Sequence, residues 1–424
     1  MEEASGTVSR WDRAAVAVGG ALLALAIGSW LLPLDGRSEA LRRLVSLAPL
    51  VLAPAAAGLL VPALRRRPAV LAALLSLTAA GVHFAYFLRP DGAAAWEGDA
   101  LWFHRMAEEW PWKPGGWWRY RILVPWVVHR MPVAANVGYF AVGLLSVAAV
   151  GPLLSLLLRD LGYGPAARNA GVVLYLASFA PLYNAYNYAL PDPAAMAVLL
   201  LAARALARDR DREFALWLLV GCVTKEVVLF LVPAHWLWRK SAGWDGKRLL
   251  RTMLVAAPAG LLFLGLRAAP EEARELSGFV TGNAWLFPWK HQPDNVARLY
   301  SPFAAGWALV ALAALRPDRW ARAGAGFAVL AGSSLLVTDA GRMLVYLLPF
   351  AVPMMLSAAG ARPGLSPAGR GLLVLGLAAL SMRLWEPFLV LWAVPVEVRR
   401  PAALLLAPAV LWLAWPLRRE APGA

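Results

Sequence analysis

Apolar residues in this chain come in runs of about twenty, separated by short polar connectors rich in arginine. Wound into an α-helix at about 1.5 Å per residue, such a run matches the hydrocarbon thickness of a bilayer. The segments fall at 14–34, 44–64, 68–88, 133–158, 166–190, 194–207, 214–238, 250–269, 302–316, 322–337, 342–360, 370–387 and 401–417. No soluble domain, low-complexity stretch or sequence repeat separates them. The pattern predicts an all-α fold, a polytopic transmembrane helical bundle of about 12–13 hydrophobic segments.

Composition sharpens this reading. Of 424 residues, 60% are apolar and 16% charged, where a soluble domain carries about 45–50% and about 25%. Disordered, collagen-like and disulfide-framework classes are excluded. The net charge of +15 raises the question of a nucleic-acid partner, but the arginines sit in short loops between apolar spans, where they set orientation. No nucleic-acid partner is expected. The single cysteine, Cys222, lies in an apolar stretch, so neither an internal disulfide nor a thiolate metal site is expected. The first apolar span lacks a small-residue cleavage site and reads as a retained helix. Five of the 41 basic residues are lysine, a bias that suggests high-GC coding and a bacterial cytoplasmic membrane.

Arginine and lysine in the short loops orient the chain. Arg65, Arg66 and Arg67 fall on one side with Arg159, Arg168, Arg204, Arg208, Arg210 and Arg212. Arg239, Lys240, Lys247, Arg248, Arg316, Arg319 and Arg322 join them. With that side cytoplasmic, the amino terminus is cytoplasmic, and the long loops 89–131 and 270–301 lie outside. The loop with Arg37, Arg42 and Arg43 is the exception. The chain divides into two accessory helices over 1–67, a central module over 68–240, and carboxy-terminal helices over 241–424.

The stretch 214–238 resists this scheme. Both flanks are basic, and Thr224-Lys225-Glu226 stands at its middle, where each charge costs about 2.5–3.5 kcal/mol on insertion scales. A re-entrant hairpin entering from the cytoplasm and turning near Lys225-Glu226 removes both objections, provided protein surrounds the turn. The alternative is one span with an internal ion pair.

Several polar groups gather on the outer side. Asp99 opens a segment whose positions 99, 103, 106 and 110 share one helical face, predicting an amphipathic interfacial helix in the first outer loop. A carboxylate there suits general-base work, and it also suits helix capping. Asp192, between Pro191 and Pro193, reads as a helix start. Asp339 and Arg342 form either a surface ion pair or a guanidinium presented to a lipid phosphate. The first loop is rich in tryptophan (Trp96, Trp102, Trp110, Trp112, Trp117, Trp118), as membrane-boundary belts are. The segment Arg119-Tyr120-Arg121 adds cations suited to a sugar phosphate. Trp285, Trp289, Lys290 and His291 lie in the second loop. Asn184, Asn187 and Tyr188 are available to a hydroxylated ligand or to interhelical bonds. The histidines show no metal-ligand spacing, and no Walker or Rossmann motif is present.

The order of these features resembles the GT-C superfamily of integral-membrane glycosyltransferases, mannosyltransferases among them. The likeness covers roughly 68–240. It rests on Trp96-Glu97-Gly98-Asp99 early in an outer loop, Arg119-Tyr120-Arg121 leading into Ile122-Leu123-Val124-Pro125, and Pro191-Asp192-Pro193-Ala194 at a helix start. Gly221-Cys222-Val223-Thr224-Lys225-Glu226 follows a basic cytoplasmic loop. The resemblance implies catalytic roles for Asp99 and Asp192 at the outer face. Glu97, His104, Arg119, Tyr120, Arg121, Asn184, Asn187, Tyr188, Lys225, Glu226, His291, Asp339 and Arg342 would contact substrate. It implies a polyprenyl-phosphate-linked sugar donor, a glycan, lipid or protein acceptor, and a divalent cation (Mg2+ or Mn2+) that Asp99 would help hold. Two spans precede the matching part, and Glu97 and Asp99 are separated by glycine where the family pairs its acids. Two other classes compete: a secondary transporter or flippase for a lipid-linked sugar, and a catalytically silent protein of the same fold. Lys225-Glu226 favours the transporter. The absence of paired interruptions in two halves of the sequence counts against it.

Overall fold

The computed structural model describes residues 68–87, 99–109, 120–186, 188–239, 246–267, 302–303, 306–315, 318–331 and 340–360. The expected spans 14–34, 44–64, 370–387 and 401–417 lie outside these, as do loop 270–301 and most of 89–131. The described residues form helices and their connectors, with no strand among them. In chain order they are α1 (Pro68–Phe87), α2 (Asp99–Glu109), α3 (Leu123–Arg130), α4 (Ala135–Asp160), α5 (Pro165–Ala177), α6 (Phe179–Tyr186) and α7 (Asp192–Ala207). Next come α8 (Asp211–Thr224), a 3-10 turn (Glu226–Phe230), α9 (Leu231–Arg239), α10 (Gly246–Arg267), α11 (Gly306–Ala314), α12 (Arg319–Ala331), α13 (Ala340–Val345) and α14 (Leu348–Gly360).

Two of these helices, α4 and α10, are long and apolar enough to cross a membrane, with mean hydropathies of 2.3 and 1.8. Their outward faces carry the signature of a lipid-facing surface. On α10, Leu254, Leu261 and Leu264 are 66%, 70% and 64% exposed, and on α1 the exposed Val70, Leu74 and Leu77 recur at helical spacing. In water such stripes would seek a partner. The core lies between α4, α5, α7, α8, α9, α12 and α14, where Leu154, Leu158, Leu199, Leu218 and Phe327 are fully enclosed.

The bundle has two polar ends. At one, Asp160 at the end of α4 receives Arg204 (2.9 Å), Arg208 (3.1 Å) and Arg159 (3.3 Å). Asp211 at the start of α8 pairs with Arg251 of α10. The other end holds Arg121, Asp192, Lys225 and Glu226. The length of α8, 14 residues, separates the two ends by about 20 Å.

The chain turns back at Lys225. The ring of His235 on α9 stacks on Phe214 of α8 at 4.9 Å, and Trp238 donates to Asp209 at 3.1 Å. A continuous helix would put Asp211 and His235 about 36 Å apart, yet His235 Nε2 stands 3.3 Å from Asp211 Oδ1. The backbone of Lys225 is extended, and Gly221 allows the return leg to close: a Cβ there would meet Val228 at 2.4 Å. The internal Lys225–Glu226 ion pair does not form, because each residue takes a partner from another helix.

Two other expected spans are also divided. The segment 166–190 splits at Ser178, whose backbone is extended and whose hydroxyl donates to Tyr175 O at 2.7 Å. The segment 342–360 is divided by the turn at Tyr346 and Leu347. Hydropathy does not register either break, because both sides remain apolar. The breaks at Ser178 and Lys225 both fall within the central module over 68–240. Within 89–131 the chain forms α2 as expected, with Phe103 and Met106 buried. It also forms α3, a short helix where the sequence predicts a loop.

Helices α1 and α4 cross at van der Waals distance. A Cβ on Gly151 would lie 1.8 Å from Ser76 Oγ and 3.3 Å from Ala72 O, a close approach that small residues permit between membrane helices. Gly151→Leu is expected to cost at least the about 1–3 kcal/mol typical of overpacking. A lowered thermal midpoint of the purified protein in detergent checks this, with Gly260→Leu, where added atoms meet open space, as the control.

Candidate functional site

The far end of α7, α8 and α10 holds a network of charges drawn from distant parts of the chain. Pro191 and Pro193 fix the entry of α7, and Asp192 falls in its first turn, 2% exposed. Its Oδ1 accepts from Lys225 Nζ at 2.7 Å and from the Tyr346 hydroxyl at 2.9 Å. The Lys225 ammonium also lies 5.2 Å from the Tyr346 ring centre. Lys225 is 1% exposed, and it reaches Asp192 because the break after α8 turns its side chain away from the hairpin axis.

Beside this pair stands a second one. Arg121, just before α3, donates to Glu226 through Nε at 3.0 Å and Nη2 at 2.5 Å. This fork-to-fork geometry is the strong form of a guanidinium–carboxylate contact. Lys225 and Glu226, adjacent in sequence, thus bind α7 on one side and the approach to α3 on the other. Tyr120 is buried between two guanidinium groups, with Arg121 5.4 Å and Arg267 4.1 Å from its ring centre.

Five of the expected site residues therefore meet: Tyr120, Arg121, Asp192, Lys225 and Glu226. Asp99 opens α2, and its neighbour Ala100 packs in one cluster with Phe103, Met106, Ala189 and Leu190. The apolar face of α2 thus belongs to the same cluster as the residues leading to Asp192. For Asp99 and for Arg342 in α13, the position in the helix is all that is described. Glu97, Arg119, Asn187, His291 and Asp339 lie outside the described residues.

His104 takes a partner within its own helix, Glu108 at 3.2 Å. Tyr188 is half-buried with its ring edge-on to Phe140 at 6.0 Å. Asn184 is 2% exposed, and its side-chain nitrogen lacks a hydrogen-bond partner among the described residues.

Of the three arginines expected to face a ligand phosphate, Arg119, Arg121 and Arg342, Arg121 has its guanidinium paired with Glu226. Two participants were missed. Tyr346 stands alone in an apolar run, and nothing local marks its hydroxyl as functional. Arg267 had a visible signal: it is a cation at the outer end of 250–269, against the orientation rule.

Among the described residues no group of three or more His, Cys, Asp or Glu side chains is placed to hold a metal ion. Asp192, already bonded to Lys225 and Tyr346, does not fit an open metal site. Comparison with known proteins gives no match to a family model, a curated protein or a solved structure.

Removing one member of a buried pair leaves an uncompensated charge, at a cost of about 3–5 kcal/mol. Lys225→Met and Asp192→Leu are each expected to destabilise by that order, and the double variant by clearly less than their sum. A double-mutant cycle on thermal unfolding reads the coupling. Simple additivity would show that the pair is not formed.

Proposed function

We propose that the chain is a multi-pass membrane glycosyltransferase of the GT-C kind. It would move a sugar from a polyprenyl-phosphate-linked donor to an acceptor hydroxyl at the outer face of a bacterial cytoplasmic membrane. The observation that carries this reading is the gathering of cations and carboxylates, drawn from across the sequence, at the bundle end opposite the arginine rim. The segment bearing Asp99 adjoins it.

The chemistry follows from that placement. The acceptor oxygen forms its bond to the sugar's anomeric carbon as the bond from that carbon to the phosphate oxygen breaks. Asp99 takes the acceptor proton. The departing polyprenyl phosphate gains negative charge and needs a fixed cation at headgroup depth, and carboxylate charge nearby favours the oxocarbenium-like transition state. Asp192, neutralised by Lys225, is better suited to positioning than to proton transfer. Its salt bridge fixes the hairpin tip that holds Glu226 against Arg121. A divalent cation, where used, would draw on Glu97 and Asp99 and supply charge to the leaving phosphate. A lipid-linked donor also accounts for a chain that carries no nucleotide-binding motif.

One observation favours a second reading. The breaks at Ser178 and Lys225, with a charge pair enclosed beside the second, are what a transporter or flippase for a lipid-linked sugar uses near its binding site. The two readings separate on chemistry.

Asp99→Asn is expected to abolish sugar transfer from a polyprenyl-phosphate donor, with expression and membrane insertion unchanged. Incorporation of radiolabelled sugar into lipid extracts measures it. Transfer at the parental rate would remove Asp99 from catalysis, and substrate exchange across vesicles without transfer would establish the transporter.

The orientation is checked separately in a Cys222→Ala background. A membrane-impermeant maleimide added to intact cells is expected to label Trp126→Cys and to spare Arg212→Cys. The reverse pattern would put the site on the cytoplasmic side.

A further inference from the structure

We infer that Arg267 is the anion-binding group of this site, taking the phosphate of a membrane amphiphile. The inference rests on the transferase reading for its substrate, but not for the anion site itself. Around the far end of the bundle, three described cations, Arg121, Lys225 and Arg267, face two described carboxylates, Asp192 and Glu226. Lys225 is bonded to Asp192 and Arg121 to Glu226. Arg267 is the positive charge left over, with no carboxylate bonded to it among the described residues.

Its geometry is that of a prepared site. The guanidinium lies 4.1 Å from the Tyr120 ring centre and 4.6 Å from that of Phe263. Aromatic contact of this kind attracts the cation and fixes its plane. Its Nε is screened from solvent and has no hydrogen-bond partner among the described residues, so a donor is held ready without an acceptor. A planar guanidinium with donors on one edge matches two phosphate oxygens.

The ligand's apolar part is indicated by the same helix. Arg267 is the last residue of α10, and Leu261 and Leu264 just before it are 70% and 64% exposed. An acyl or prenyl chain lying along these leucines would bring its phosphate to the guanidinium at the helix end. A free inorganic phosphate would use the cation and ignore the leucines.

Native mass spectrometry of the full chain in detergent tests this with four probes: undecaprenyl phosphate, undecaprenol, phosphatidylglycerol and inorganic phosphate. Undecaprenyl phosphate is expected to bind, and undecaprenol and inorganic phosphate to bind at least about tenfold more weakly, a gap of about 1.4 kcal/mol. Arg267→Gln is expected to weaken undecaprenyl phosphate binding by at least about tenfold. Arg267→Lys keeps the charge but not the stacked plane, and is expected to show a smaller loss. Thermal midpoints of both variants report on folding, and the lysine variant carries the test if the glutamine variant unfolds. Parental affinity in either folded variant overturns the proposal. Inorganic phosphate binding as tightly as the lipid overturns the amphiphile assignment. Arg267-dependent binding of phosphatidylglycerol in place of undecaprenyl phosphate supports the anion site and overturns its role toward the donor. Arg267-dependent binding of undecaprenyl phosphate by a protein that transfers no sugar supports the inference while the transferase reading fails.

Discussion

The salt bridge from Lys225 to Asp192 is the constraint on which the arrangement of the far end depends. A buried lysine is among the most expensive side chains to desolvate, and near the middle of an apolar segment the expense is greater still. The ammonium is retained here because Asp192 Oδ1 stands 2.7 Å away and the Tyr346 ring lies against it. To reach that carboxylate the helix has to stop at Thr224, and once it stops the chain is free to reverse. The hairpin is thus a consequence of satisfying one charge. The reversal then presents the next residue, Glu226, to the opposite side, where Arg121 closes a second pair. Two adjacent charges hold three separate parts of the bundle together: the start of α7, the turn of the hairpin and the approach to α3.

This interlocking also explains why the basic rim and the far end behave differently. At the rim, Asp160 is surrounded by three arginines, and His235, Asp211 and Thr252 tie both hairpin legs to α10. Those contacts close the base of the hairpin, and Arg159 and Arg251 there are largely exposed. Exposed ion pairs contribute little individually. At the far end the Lys225–Asp192 pair is fully enclosed, so breaking it costs more and its geometry is more tightly held. A site needs that second kind of environment, since a fixed dipole or charge acts on a ligand without reorganising first.

The sequence foretold the hairpin for a physical reason: two basic flanks and a central charge pair cannot both be accommodated by one simple span. It foretold the helix start at Asp192 from the flanking prolines. It was silent on the partners, because Asp192 is 33 residues from Lys225 and 154 from Tyr346, and periodicity carries no information at that range. The break at Ser178 carries one local mark, Pro181 in the first turn of α6, but the apolar run continues across it and conceals the division. A serine hydroxyl bonding back to Tyr175 is a local alternative to the helical ladder, and serine offers that option in many helices that do not break. Helix α3 was hidden by Pro125, which suits a first turn as well as a loop. The partner of Arg121 was equally hidden, because one arginine beside a tyrosine looks the same whether its carboxylate is 105 residues away or absent.

The pairing of Arg121 with Glu226 bears on the chemistry proposed for the site. A guanidinium already matched by a carboxylate offers a departing phosphate little net attraction, since the ion pair presents a dipole and no free charge. On the transferase reading, the leaving group would instead meet a cation with no carboxylate bonded to it. Among the described residues Arg267 is such a cation, at the end of a helix whose C-terminal dipole itself favours positive charge, and Tyr120 and Phe263 contact it without neutralising it. Rings are the right support for such a role: they stabilise the cation, yet they carry no negative oxygen that a phosphate would have to displace. On that view Arg121–Glu226 and Lys225–Asp192 fix the frame within which one uncompensated charge is kept available.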